Sequence, residues 1–284
     1  MGLDHKYIAS KNWNIKAQDN FEFDLSRFQF FEPIGLIYFA SFIKKQMKYS
    51  QKGKIFFNKE AINYLERINF LPYLEKEYGD QIILIPKRPV IHRNPLYNQL
   101  IEFDEIKFKD KYNYEECITH LAEICQQQIG SAVKYAFIND VFSELLSNVA
   151  RHSKELSFFV VAQKYPGNQV IKISIGDNGI GIPKSLQSNG KYLNMKDNEL
   201  INLSTLSEIS ADGGGMGLTT LKSYLLEKKD YLAIFSNSGY VKFVNGGHYG
   251  KQNFKSELNG TYVEICFQMN STKRQDLVDN ALPF

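Results

Sequence analysis

The chain has 284 residues, of which 43% are hydrophobic and 14% aromatic, which is enough to bury the cores of two ordinary domains. Its 34 basic and 31 acidic residues leave a formal charge of +3, which is too small and too evenly spread for a nucleic-acid-binding surface. No apolar run approaches the roughly eighteen residues of a membrane span, and the first residues lack the apolar centre of a secretory signal.

The first part of the chain alternates strand-like and helical patterns. Two strands and two helices are predicted in turn: a strand at 21–28, a helix that Pro33 opens, a strand at 53–58 and a helix at 60–74. The Pro- and Arg-rich stretch 85–99 then breaks the periodicity. We therefore predict a small α/β domain over residues 1–100 and a larger domain over residues 101–284.

The second part opens with helical patterns and continues with strand-like runs. The predicted helices are 115–129, 135–152 and 217–228, and the predicted strands are 157–163, 169–177, 231–237, 241–244 and 261–268. The helix over 135–152 carries apolar residues at three- and four-residue spacing, so one of its faces packs on other elements. The pattern indicates a mixed sheet that helices cover on one face.

Four short motifs occur in this part, and each of them is weak alone. They are "ELLSNVARH" (144–152), "DNGIGIP" (177–183), "GGGMGL" (213–218) and "GTYVEI" (260–265). Together they resemble the N, G1 and G2 boxes and the terminal Gly-Thr of the GHKL ATPases, a superfamily of gyrases, heat-shock chaperones, mismatch-repair proteins, sensor histidine kinases and anti-sigma-factor serine kinases. The resemblance covers roughly residues 110–268. It implies an ATP-binding α/β sandwich that takes ATP or ADP with Mg²⁺.

The first motif contributes two polar residues to one helix face. Glu144 and Asn148 stand one turn apart, away from the apolar stripe, a pair that would indicate a solvated face if it stood alone. By the resemblance, Asn148 would hold Mg²⁺ through its amide oxygen, and Glu144 would be the general base. Arg151 and His152 would lie near the phosphates, although a helix-terminal cation favoured by the dipole accounts for both residues equally well.

The second motif points to adenine recognition. Asp177 follows a predicted strand, and Gly179 and Gly181 come after it. A carboxylate can accept the exocyclic amino group of adenine, and glycines let the backbone approach the base. An ordinary Asp-Asn-Gly turn would not explain the second glycine. By the resemblance, Thr261 would reach adenine through a water beside Asp177.

The glycine cluster precedes a predicted helix and suits an anion. Backbone N–H groups at Gly213, Gly215 and Gly217, with Leu218 after them, would face the phosphates of ATP. The cluster lacks the Lys-Ser/Thr ending of a Walker A loop, and a flexible linker would not explain the immediate helix start. The polar stretch 184–212 is predicted to be a lid that closes over ATP.

The N-terminal part carries a second, shorter resemblance. "FDLSRFQFFEPIGLIYFASFI" is similar to the strand, loop and helix of STAS domains, with Glu32 and Gly35 matching the ends of their acidic-Ser-Ser-Gly turn. Pro33 and Ile34 replace both serines, so the phosphorylation switch of that family cannot operate at this turn. Any βαβα unit is the alternative interpretation.

These features predict an ATP-binding regulator that transfers the γ-phosphate of ATP to a Ser or Thr of a partner protein. Hydrolysis with an ATP-gated conformational change, or ATP binding without turnover, are the alternatives. A protein partner or substrate is expected, nucleic acid and membrane are not, and a homodimer is left open. The cysteines Cys117, Cys125 and Cys266 form no paired spacing, which fits a reducing, cytoplasmic setting.

Overall fold

A computed structural model gives the architecture of the protein. The residues that it describes are 2–10, 18–87, 100–107, 114–129, 135–153, 157–188, 190–206, 217–223, 225, 229–245 and 247–269. These residues form an α/β protein with a three-stranded and a five-stranded sheet, which confirms the predicted fold class. None of the described helices is long and apolar enough to cross a membrane.

The first part of the chain is a small α/β unit. Its elements are β1 (Gly2–Leu3), α1 (His5–Ser10), β2 (Asn20–Leu25), β3 (Phe30–Phe31), α2 (Pro33–Gln46), β4 (Lys52–Phe57), α3 (Lys59–Arg67), α4 (Phe70–Tyr78) and β5 (Ile82–Ile85). Strands β2, β4 and β5 form a parallel sheet in that order, and β1 pairs in parallel with β3. The likeness to a STAS domain stays a prediction.

The helix predicted over 60–74 is wrong, because the structure has two helices there. Asn69, between α3 and α4, has a φ of 69°, which is in the left-handed region that a continuous helix excludes. Apolar residues keep a helical spacing through this break, so the periodicity alone did not reveal it.

The second part of the chain forms the larger sheet and its helices. Its elements are β6 (Leu100–Lys107), α5 (Tyr114–Ile129), α6 (Tyr135–Asn148), β7 (Ser157–Tyr165), β8 (Val170–Gly176), α7 (Ile182–Gln187), α8 (Asp197–Leu203), α9 (Gly217–Ser223), β9 (Tyr231–Val244) and β10 (Gly247–Gln268). The strand order is β6-β7-β8-β10-β9.

All the strand pairings described for this sheet are antiparallel, where a mixed sheet was predicted. Two of these pairs follow from short connections, which require antiparallel strands: the 3₁₀ turn Pro166–Asn168 joins β7 and β8, and β10 begins three residues after the end of β9. The two strands predicted at 231–237 and 241–244 are one strand, β9. Asn237 adopts a φ of 52° within it, and pairing with β10 continues past that residue.

The five-stranded sheet is covered on both faces. On one face, Ile171, Ile173 and Ile175 of β8 share a core with α5, α6 and α9. On the other face, Tyr262 and Cys266 of β10 share a core with α2. The sheet's own helices therefore cover one face, as predicted, and the N-terminal unit covers the second. The division of the chain at residue 100 stays a prediction, because one core crosses it.

Candidate nucleotide-binding site

Helix α6 presents a carboxylate and an amide beside its apolar stripe. The stripe, which includes Val141 and Phe142, is buried against the sheet, while Glu144 and Asn148 lie outside it and are half-buried. The amide nitrogen Nδ2 of Asn148 donates a hydrogen bond to Oε1 of Glu144. Because this bond uses the nitrogen, the amide oxygen of Asn148 is the atom that suits Mg²⁺, a cation that prefers oxygen ligands.

The environment of Glu144 makes its carboxylate more basic. Burial raises the pKa of Glu144 above its ordinary value, and this outweighs the hydrogen bond from Asn148 and the charge of Arg151, both of which lower it. The exposed Arg151 folds back along the helix, where its Nε donates to the carbonyl oxygen of Ser147 at 3.3 Å. A carboxylate with a raised pKa is better matched to proton abstraction near neutral pH.

One π-helical turn, Val149–Ser153, continues α6. Such turns are frequent at functional sites because they change the direction in which side chains leave the helix. His152 is in this turn, and its side chain lies outside the described part of the structure. Its predicted place near the phosphates therefore stays a prediction.

The loop after β8 brings three of the predicted residues together. Asp177 is 4% exposed, and its Oδ1 accepts a hydrogen bond from the amide of Gly179 at 2.7 Å. The amide of Asp177 donates to the carbonyl oxygen of Thr261 at 2.9 Å. A carboxylate offers two oxygens and about four lone-pair sites, enough to accept both a backbone amide and an adenine amino group.

Two glycines allow the close backbone approach that this loop requires. Gly181 has a φ of +82°, and a Cβ there would lie 2.2 Å from Oδ1 of Asn237. Gly260 has a φ of +119°, and a Cβ there would lie 2.1 Å from the carbonyl oxygen of Asp177. Both positions therefore need glycine, for conformation as well as for space. The motif "DNGIGIP" predicts Gly181 as a site residue, whereas Gly260 enters the sequence prediction only as part of the terminal Gly-Thr.

Two residues of β9 that the sequence analysis missed join these loops. Ser236 Oγ accepts from the amide of Ile182 and donates to the carbonyl oxygen of Gly260, both at 2.8 Å. Asn237 Nδ2 donates to the carbonyl oxygen of Ile180 at 3.0 Å. The signal that could have found them is a polar pair at the end of the apolar run "YLAIF".

The glycine cluster is only partly described. Gly213 and Gly215 lie outside the described residues. Gly217 begins α9, and Leu218 packs, partly buried, against the core on the helix side of the sheet. The phosphate contacts predicted for these four residues stay predictions.

The predicted lid, 184–212, contains helical structure rather than a continuous loop. It includes most of α7 and all of α8, in which Leu200 and Ile201 are buried. Oδ2 of Asp197 accepts from the amide of Ser238 at 2.9 Å, which anchors α8 to β9. Residues 207–212 lie outside the described part, and closure of the segment over ATP stays a prediction.

The comparison with known families concerns this half of the chain. Residues 133–271 match the family model described as "Histidine kinase-, DNA gyrase B-, and HSP90-like ATPase". None of the curated proteins matches the chain. One solved structure with similarity is a crystal structure of the N-terminal domain of a DNA repair protein, at 20% identity and a TM-score of 0.20, covering 38% of this chain and 32% of that one. The family match supports a GHKL ATPase domain over residues 133–271, and with it the binding of ATP.

Proposed function

We propose that this protein is a cytoplasmic regulator that transfers the γ-phosphate of ATP to a serine or threonine of a partner protein. The observation that carries the proposal is the pair on α6, a carboxylate with a raised pKa beside an amide oxygen suited to Mg²⁺. A protein that only bound ATP would need Asn148 and Asp177 but would have no use for a base. Glu144 therefore favours turnover over binding alone.

Each predicted residue has a distinct task in this proposal. Asp177 and Thr261 recognise adenine, with Gly179 and Gly181 giving the backbone room to approach. The phosphates lie along Gly213, Gly215, Gly217 and Leu218, with His152 near them. Mg²⁺, held by Asn148, would offset the charge of the phosphates.

The chemical step uses Glu144. Its carboxylate takes the proton of the acceptor hydroxyl while that oxygen bonds to the γ-phosphorus. The bond from the γ-phosphorus to the bridging oxygen breaks, and ADP leaves with the electron pair. The same carboxylate can deprotonate water, in which case the products are ADP and inorganic phosphate.

Hydrolysis that gates a conformational change is the second candidate. The observation that favours it is the contact of α2 with β8 and β10, which places the N-terminal unit against the strands next to Asp177 and Thr261. In either case the N-terminal unit, as a STAS-like module, is the part that would meet a protein partner, and a homodimer is one form of such a partner.

The test separates binding from chemistry on one helix. Glu144→Gln keeps an acceptor for the Asn148 amide but removes the base, so Mg²⁺-ATP affinity should stay within a few-fold while turnover falls roughly 10²- to 10⁴-fold. Asn148→Ala should weaken binding and turnover together, because it removes a metal ligand. Calorimetry gives the affinity, and phosphate release and γ-phosphate transfer to candidate partners give the turnover.

Two results would count against the proposal. If Glu144→Gln lost ATP binding as strongly as Asn148→Ala, Glu144 would be a structural residue. If the wild-type protein bound ATP but was inactive with water and with every candidate partner, the protein would be a binding module.

A further inference from the structure

Helix α2 lies on the face of the five-stranded sheet opposite to α6, and it contacts the loop that carries Asp177. Ser41 is 0% exposed in the middle of this helix, and its hydroxyl donates to Oδ1 of Asn178, the residue directly after Asp177. The same hydroxyl is hydrogen-bonded to the hydroxyl of Tyr262, the residue directly after Thr261. A buried hydroxyl needs partners, and within a helix it often bonds to a carbonyl of the preceding turn. Here both of these partners belong to the five-stranded sheet and its loop.

The same face of α2 makes two more contacts near the site. Ile37, Ser41 and Lys45 recur every four residues and so lie along one side of the helix. A Cβ on Gly176, the last residue of β8, would lie 2.5 Å from Cγ2 of Ile37, so helix and strand pack as closely as glycine permits. Lys45 Nζ donates to the carbonyl oxygen of Asn259.

Tyr262 connects these contacts. Its hydroxyl lies 2.9 Å from the carbonyl oxygen of Asn259 and 3.3 Å from Oδ1 of Asn178, and it has one proton to donate. Burial raises the pKa of Tyr262 well above its usual range, and the Asp177 carboxylate adds to this rise, so the phenol stays a neutral donor. One helix face therefore holds both segments that flank the candidate adenine site, at Asn178 and at Asn259.

We propose that Ser41 is a positioning residue that holds the Asp177–Gly181 loop in the conformation that binds adenine. The inference rests on the proposed role of Asp177 and adds to it that the N-terminal unit sets the affinity for nucleotide. Without the hydroxyl, Asn178 loses its partner on α2, and the loop gains conformations in which Asp177 no longer faces the base. A buried hydrogen bond is typically worth about 1 kcal/mol, so the affinity for ATP should fall about five- to tenfold.

The test compares three variants of the full chain. Ser41→Ala removes the contact to the loop, and Tyr262→Phe removes the second hydroxyl of the network while keeping the ring that packs on Tyr38. Ser50→Ala is the matched control, because Ser50 is also buried and bonds to Gln46 of α2 at 2.8 Å but does not touch the loop. Calorimetry gives the affinities for ATP and GTP, and hydrogen exchange without nucleotide gives the protection of residues 177–182.

The expected result is specific to the base and to the loop. Ser41→Ala and Tyr262→Phe should speed exchange of the Gly179 amide and lower the preference for ATP over GTP about five- to tenfold, while Ser50→Ala changes neither. If exchange and affinity in Ser41→Ala stay within twofold of Ser50→Ala while wild type binds ATP, the inference is wrong and the proposed function stands. If the wild-type protein fails to bind ATP, the proposed function is wrong. If, in addition, the Gly179 amide exchanges as slowly in Ser41→Ala as in wild type, the inference that Ser41 holds the loop is wrong too.

Discussion

Gly260 offers a sharp test of the geometry around Asp177. A Cβ at this position would lie 2.1 Å from the carbonyl oxygen of Asp177, and separations under 3.0 Å are essentially never seen, so Gly260→Ala must push the two segments apart. The obstacle is backbone, which cannot move aside as a flexible side chain can. The same movement would stretch the 2.9 Å hydrogen bond from the Asp177 amide to Thr261.

The magnitude has two parts that a control can separate. A positive φ costs an alanine roughly 1–2 kcal/mol of folding free energy, and this cost applies to any such glycine. A displacement of about 1 Å at the binding loop adds a loss of ATP affinity of about ten- to a hundredfold. Gly79 has a φ of +49°, and a Cβ there would meet nothing within 4 Å, so Gly79→Ala should lose stability without losing affinity.

Calorimetry with Mg²⁺-ATP and urea unfolding together measure both parts. We expect both variants to lose stability, Gly260→Ala more because it also displaces backbone, and only Gly260→Ala to lose affinity. If the folded Gly260→Ala protein bound ATP as well as Gly79→Ala does, the close approach of Gly260 to Asp177 would have no role in nucleotide binding. If Gly260→Ala and Gly79→Ala lost ATP affinity equally, the loss would come from backbone strain in general and not from the contact between Gly260 and Asp177.

Asp177→Asn should abolish the thermal stabilisation by ATP in a melting assay, because the amide can turn its NH₂ toward the adenine amine, and unchanged stabilisation would remove Asp177 from the site. The acid limb of the turnover profile should lie above the ordinary carboxyl range, because a raised Glu144 pKa leaves the base protonated until higher pH. A limb at the ordinary pKa of a glutamate, or one that persists in Glu144→Gln, would contradict this. Limited proteolysis without nucleotide should cut the C-terminal domain first within 184–212, and ATP should protect that segment. Earlier cuts elsewhere that ATP does not affect would contradict the lid.

The sequence predicted most accurately those helices and strands whose bounds follow from a local hydrophobic periodicity. Helix α2 with Pro33 at its start, the helices α5 and α6, and the strands β7 and β8 lie within a few residues of their predicted bounds. The break between α3 and α4 at Asn69 and the continuity of β9 through Asn237 both depend on a left-handed backbone conformation. Asparagine tolerates this conformation, but its presence in a sequence does not predict it. At the site, the order of motifs predicts roles for Glu144 and Asp177, which stay predictions, whereas the residues that hydrogen-bond to them are known from the structure alone.

The second covered face of the sheet was not predictable, for a physical reason. Lys172, Ser174 and Glu264 alternate with apolar residues along β8 and β10, a pattern typical of a face in water. Glu264 is nevertheless 0% exposed, because it faces α2. A hydrophobic pattern distinguishes apolar from polar positions, but it does not distinguish solvated charges from charges that are paired inside the protein.

The pairing of these charges explains how α2 is held at its N-terminal end. Glu264 accepts hydrogen bonds from the amide of Ile34 at 3.1 Å and from the hydroxyl of Tyr231 at 2.6 Å. A carboxylate at the positive end of a helix is favoured, and a buried one requires such donors. Lys172 bonds to Glu32, and although burial lowers the pKa of Lys172, the carboxylates of Glu264 and Glu32 raise it overall, so this lysine stays charged.

Helix α2 is therefore fastened to the sheet at two points. Glu264 holds its first turn, and Asn178 and Asn259 hold its later turns through Ser41 and Lys45. A helix that is attached at both ends moves as a rigid element. A partner that shifts the N-terminal unit must therefore either break the buried Glu264 contacts or move the loop beside Asp177. Leaving Glu264 buried without its donors costs several kcal/mol, whereas losing the Ser41 bond costs about 1 kcal/mol. The weaker attachment is the one beside the candidate site, and that is where a signal from the N-terminal unit would change nucleotide affinity.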